Sequence, residues 1–128
     1  MSIAPDTWLK ATEILIREVK EIFNKKAQKR QKAYEAIEAI YKAANRTSFY
    51  ITMNKNGTSK SNLELSDLWL ETAAKVRDLD ESLYEQILSK AEYWSTNPIY
   101  WNEESLKMAK QSLLEVKRAA KEILHKKK

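Results

Sequence analysis

The chain has 128 residues with one histidine, one glycine, two prolines and no cysteine, and it carries a formal net charge of +5. That inventory rules out a disulfide framework, starves the usual cysteine- and histidine-based nucleophile, base and metal sites, and leaves no material for a glycine-rich phosphate loop. With 43% apolar and 32% charged residues, the expectation is a single ordered domain over 1–128 rather than a disordered chain.

With Gly57, Pro5 and Pro98 as the only strong breakers, the fold class expected is all-α, an antiparallel helical bundle. The first helix spans roughly 5–25. Leu9, Ile16 and Phe23 recur every seven residues, Thr12 and Val19 fall between them, and Trp8, Leu15 and Ile22 widen the stripe. Pro5 suits a first turn, where the missing N–H costs nothing.

From Asn24 to Lys32 the apolar stripe lapses while helix propensity stays high. The stripe then resumes with Ala33, Tyr34, Ile37, Ile40, Tyr41 and Ala44, in the same seven-residue register as before. Two architectures stand open. The chain turns near 25–31, giving four helices, or one helix of about 45 residues and about 65 Å runs through, giving three with a kinked long first helix. In the long-helix case the stripe over 8–23 needs a second subunit to cover it, so a homodimer is expected.

Residues 54–62 form the one clear loop, and Ser61-Asn62-Leu63-Glu64 matches a capping box that starts the next helix. That helix is expected to run from Leu63 to Tyr93 or Trp94, with Leu65, Trp69, Thr72, Val76, Leu79 and Leu83 inward and only a weak break at Asp78-Leu79-Asp80. Pro98 stops it, since the residue before proline is pushed out of helical geometry. Asn102, Glu103 and Glu104 open the last helix, whose seam is Leu106, Ala109, Leu113, Val116, Ala120 and Ile123. Residues 1–4, 54–61 and 126–128 are the stretches prone to disorder.

Charge is uneven along the chain. Residues 1–53 carry ten Lys/Arg against six Asp/Glu, 54–62 two against none, 63–95 three against eight and 96–128 eight against four. An acidic segment between basic ones suits neighbouring helices that attract each other, at about 0–1 kcal/mol per surface pair.

Two clusters are candidates for function. Tyr93, Trp94, Tyr100 and Trp101 around Pro98 offer a stacking or partner-anchoring platform, although rings at a helix corner more often plug the bundle end. Lys25, Lys26, Lys29, Arg30 and Lys32 are candidate contacts to phosphates or an acidic surface, against the plainer account of a solvated helix face. Asn45, Arg46, Thr47, Ser48 and Tyr50 make a polar patch best read as glue to a neighbouring helix, with Lys75, Arg77 and Asp78 as its partners.

For catalysis the sequence offers only carboxylates, Glu64, Asp67, Glu71, Asp78, Asp80, Glu81 and Glu85, at mostly outward positions, and His125 stands alone near the end. Di-iron bundles need Glu-x-x-His motifs, and none is present. The expectation is no catalytic residue, no metal, no cofactor and no small-molecule substrate. The N-terminal residues lack a leader pattern and no run reaches the ~20 apolar residues of a membrane span, which favours a cytoplasmic protein without membrane contact. The function expected is a non-enzymatic interaction or adaptor module that presents helix faces to a protein partner or to itself. The alternative is a basic nucleic-acid-binding bundle.

Overall fold

The computed structural model describes residues 5–53, 63–81, 83–85 and 103–126. Four long helices cover most of them: α1 (Pro5–Lys25), α2 (Arg30–Met53), α3 (Leu63–Arg77) and α4 (Glu103–Lys126). A 3-10 turn, Ala27–Lys29, joins α1 to α2, and helical backbone reappears at 81 and 83–85 after α3. Among the described residues there is no strand, so the fold is an all-α helical bundle.

The chain turns between α1 and α2, which decides between the two architectures. Lys26 closes the last hydrogen bond of α1 by donating to Ile22 O at 2.9 Å, then leaves helical geometry at φ −117° and ψ 89°. Neither glycine nor proline is involved. Side chains stabilise the corner: Arg30 Nε donates to Phe23 O at 3.1 Å and its guanidinium lies 5.6 Å from the Phe23 ring centre, satisfying an orphan carbonyl of α1. The seven-residue register shared by α1 and α2 is therefore not a sign of continuity.

α2 is the central element. It packs on α1, α3 and α4, and α1 also packs on α4, whereas α3 meets neither α1 nor α4 among the described helices. Cross-links fix directions. Arg46, Thr47, Ala39 and Glu35 of α2 bond Glu64, Trp69, Thr72 and Lys75 of α3 in that order, an antiparallel pairing. Glu13 with Ser112 and Lys20 with Glu122 make α1 and α4 parallel.

Every inward position that periodicity assigns to α1 between Thr12 and Phe23 is buried, as are Ala33, Ile37, Ile40 and Ala44 of α2 and Ala109, Leu113, Val116, Ala120 and Ile123 of α4. One apolar cluster draws on all four helices. Because α2 and α4 cover the α1 stripe from Thr12 to Phe23 within one chain, that part of it gives no reason for a second subunit. α2 buries more than its stripe predicts, adding Ala36, Ala43, Thr47 and Ile51, because a central helix must present an apolar surface to three neighbours.

The helix expected from Leu63 to Tyr93 or Trp94, with only a weak break at Asp78-Leu79-Asp80, ends at Arg77, so the break there is a full one. Leu79 N and Asp80 N both donate to Val76 O at 2.9 Å, and Asp80 Oδ1 then accepts from Leu83 N at 3.3 Å. Asp80 thus caps a new helical start, a role in which aspartate outperforms its modest interior propensity. The apolar spacing hid the break because Leu79 and Leu83 stay buried on both sides of it. Asp80→Ala is expected to cost about 1 kcal/mol, read as a shift in urea midpoint at unchanged slope. A shift below a quarter of that would show that the cap contributes little.

Candidate interaction surfaces

The basic run is dispersed by the turn that it builds. Lys25 pairs with Glu21 at 2.8 Å one helical turn back, Lys29 Nζ donates to Leu79 O at 3.0 Å, and Arg30 holds the end of α1. Three of the five candidate phosphate contacts therefore serve helix ends or a local pair. The side chains of Lys26 and Lys32 remain exposed and pair with no described residue.

The pairing of Lys25 with Glu21 is solvent-exposed, yet its hydrogen bond lowers the Glu21 carboxyl below its ordinary value and raises the Lys25 ammonium. A carboxyl with a depressed folded pKa adds stability at neutral pH that is lost as pH falls through that value; for Lys25 the loss comes as pH rises through its raised value. The contribution is small at an exposed site. Lys25→Met is expected to return Glu21 upward to the ordinary glutamate range in an NMR side-chain titration, and an unmoved Glu21 would mean the pair is not held in solution.

The polar patch on α2 does bond neighbouring helices, but its partners are Glu64, Trp69 and Lys117 rather than Lys75, Arg77 and Asp78. Arg46 Nε donates to Glu64 Oε1 at 2.9 Å, and Lys117 Nζ donates to Asn45 Oδ1 at 3.3 Å. The buried Thr47 hydroxyl donates to Ala43 O at 2.7 Å and accepts from Trp69 Nε1 at 3.1 Å. The antiparallel register puts the start of α3, not its end, beside residues 45–50. Lys75 lies 3.5 Å from Glu35, and the Arg77 guanidinium sits 5.2 Å from the Tyr84 ring centre. Glu64, assigned by sequence to the capping box, is engaged by Arg46.

The grooves between helices are open and shallow. One of about 600 Å³ lies between α2 and α3 and is lined by Tyr34, Glu35, Lys42, Leu68, Glu71 and Lys75. Its carboxylates belong to exposed or half-exposed residues, with salt-bridging cations beside them, an ordinary solvated arrangement. A second groove of about 260 Å³ runs between α2 and α4 past Asn45, Ser48, Phe49, Thr52 and Lys117. No group of three or more His, Cys, Asp or Glu able to hold a metal occurs among the described residues, and His125 is exposed. No described helix is long and apolar enough to cross a membrane.

Several large apolar side chains remain outside the core. Leu63 is 68% and Leu70 44% exposed, one heptad apart on α3, while Phe49 is 60% exposed on α2. The aromatic cluster Tyr93, Trp94, Tyr100 and Trp101 lies outside the described residues. No protein-family model, curated protein or solved structure matches the chain.

Proposed function

We propose that the protein is a non-enzymatic interaction module that offers the outer face of α3 to a protein partner. The observation that carries this reading is the apolar rail Leu63 and Leu70, two leucines seven residues apart and outward on a helix whose opposite face, Leu65, Trp69, Ala73 and Val76, is already buried against the bundle. Leucines at that spacing are the anchors by which one amphipathic helix docks on another. The shallow, charge-lined grooves support the same view, because a turnover site needs convergent groups sheltered from water. A second copy of the chain is the simplest partner, and a different protein serves equally.

The test combines mass and mutation. Light scattering of the purified chain, together with affinity recovery from its native source, is expected to give a dimer or a stoichiometric complex that Leu63→Glu with Leu70→Glu abolishes while helical content stays unchanged. A monomer that recovers no partner, or a complex indifferent to both substitutions, would overturn it. Nucleic acid is the second reading, favoured by the charge of a different face.

A further inference from the structure

We propose that the outer face shared by α2 and α4 binds single-stranded nucleic acid, with Lys107, Lys110, Lys117 and Lys121 following the phosphates and Phe49 stacking on a base. This deepens the second reading above and does not depend on any partner of α3.

The seam is regular. Lys107, Lys110, Leu114, Lys117 and Lys121 follow one another in steps of three, four, three and four residues, which places them on one side of α4 over about 21 Å. Lys117 faces α2, since its ammonium reaches Asn45. Arg118 stands exposed beside it. The core seam of α4, Ala109, Leu113, Val116, Ala120 and Ile123, is a separate stripe and fully committed to the bundle.

Carboxylates are nearly excluded from this face. Between Lys107 and Lys121 only Glu115 is acidic, and it lies seven residues before Glu122, which bonds Lys20 on the α1 side. From Tyr41 to Thr52, α2 has no acidic residue at all. From Lys107 to Lys121, α4 holds five Lys or Arg against one Glu, while on α2 Arg46 is paired with Glu64 and Lys42 lines the α2–α3 groove. The outer side of α4 therefore carries a cationic stripe. The lysine run at the α1–α2 turn, by contrast, is partly spent on helix ends.

Charge alone suits any polyanion, so the remaining groups decide. Beside the seam the α2–α4 groove presents the Asn45 amide and the Ser48 and Thr52 hydroxyls as donors, next to an exposed aromatic ring. A cationic track, hydrogen-bond donors and a ring on which bases stack are the usual parts of a sequence-tolerant single-strand site. An acidic helix would need apolar anchors in series along the groove, and this face supplies only Phe49 and Leu114, on different helices. An acidic membrane is disfavoured because the apolar side of α4 is already buried in the core.

The test uses the full chain with fluorescein-labelled deoxythymidine and uridine 20-mers, a duplex of the same length, and polyglutamate as competitor, read by anisotropy. Binding at 50 mM salt is expected to weaken as salt rises, with a log–log slope of roughly −2 to −3 from three or four neutralised phosphates. Lys110→Gln, Lys117→Gln and Lys121→Gln together are expected to weaken it more than tenfold. Phe49→Ala is expected to cost about tenfold, the lower range for one stacked base. Lys25→Gln, Lys26→Gln and Lys32→Gln at the turn should change it less than threefold. No single-strand binding at low salt, a tighter duplex, equal displacement by an equal charge of polyglutamate, or equal sensitivity at the turn would each overturn the assignment. Because none of these substitutions touches Leu63 or Leu70, such a failure leaves the protein-partner reading standing.

Discussion

Trp69→Ala is expected to be the most damaging single truncation in the described core, at about 3–5 kcal/mol. Trp69 is fully buried and is the largest fully buried side chain among the described residues, and it also reaches across to α2 through its N–H bond to Thr47. A buried indole removes on the order of 200 Å² from water, so alanine there forfeits the transfer free energy and leaves a cavity that rigid helices fill only in part. Against a total stability of about 5–15 kcal/mol, the loss takes a third or more of the margin. The midpoint of thermal unfolding, followed by circular dichroism, should fall by roughly 10–20 °C. A fall of only a few degrees would show that α3 is not seated on α2 through this residue.

The second large effect runs the other way, from adding volume. α2 carries Ala33, Ala36, Ala43 and Ala44 with no exposure at all, because a helix wedged among three others is approached closely on several sides. Ala44→Leu is expected to destabilise by about 1–3 kcal/mol, since a close-packed interior accepts new methylenes only by shifting helices or forcing side chains off their rotamers. Ala74→Leu, on the exposed side of α3, should change stability by less than about 0.5 kcal/mol. Denaturant titration of the pair checks the contrast. Equal midpoints would mean that α2 is not enclosed as described.

Much of the fold is legible in the chain because the inward faces are written as period. The seams of α1, α3 and α4 follow from apolar spacing alone, and the starts at Leu63 and Glu103 follow from the polar and acidic residues around them. The two breaks are legible only in part: a turn near 25–31 is one of two open architectures, and 78–80 reads as no more than a weak interruption. The turn at 26–29 is held by Arg30 on the end of α1 and by Lys29 on the Leu79 carbonyl, contacts that exist only once the helices have met. The break at 78–80 depends on Asp80 serving as a cap, and Leu79 and Leu83 keep the apolar rhythm intact across it.

The surfaces were harder still to read. Along the sequence the charge run Lys25 to Lys32 stands out because its members are adjacent in the chain, whereas adjacency on a folded surface is what concentrates charge. The lysines of α4 are three, seven and four residues apart with other residues between, so they look diluted in one dimension and align in three. The absence of acids from the facing half of α2 matters only when the two helices are known to be neighbours. The partners of Arg46 and Asn45, Glu64 and Lys117, are hidden in the sequence for the same reason: register between helices is a tertiary property.

Among the described helices, α3 packs on α2 only, while α1, α2 and α4 meet one another in three mutual interfaces. Whatever grips the outward leucines of α3 therefore acts on the described long helix with the fewest neighbours, and the lysine stripe of α4 stands on a helix that α3 does not touch among the described residues.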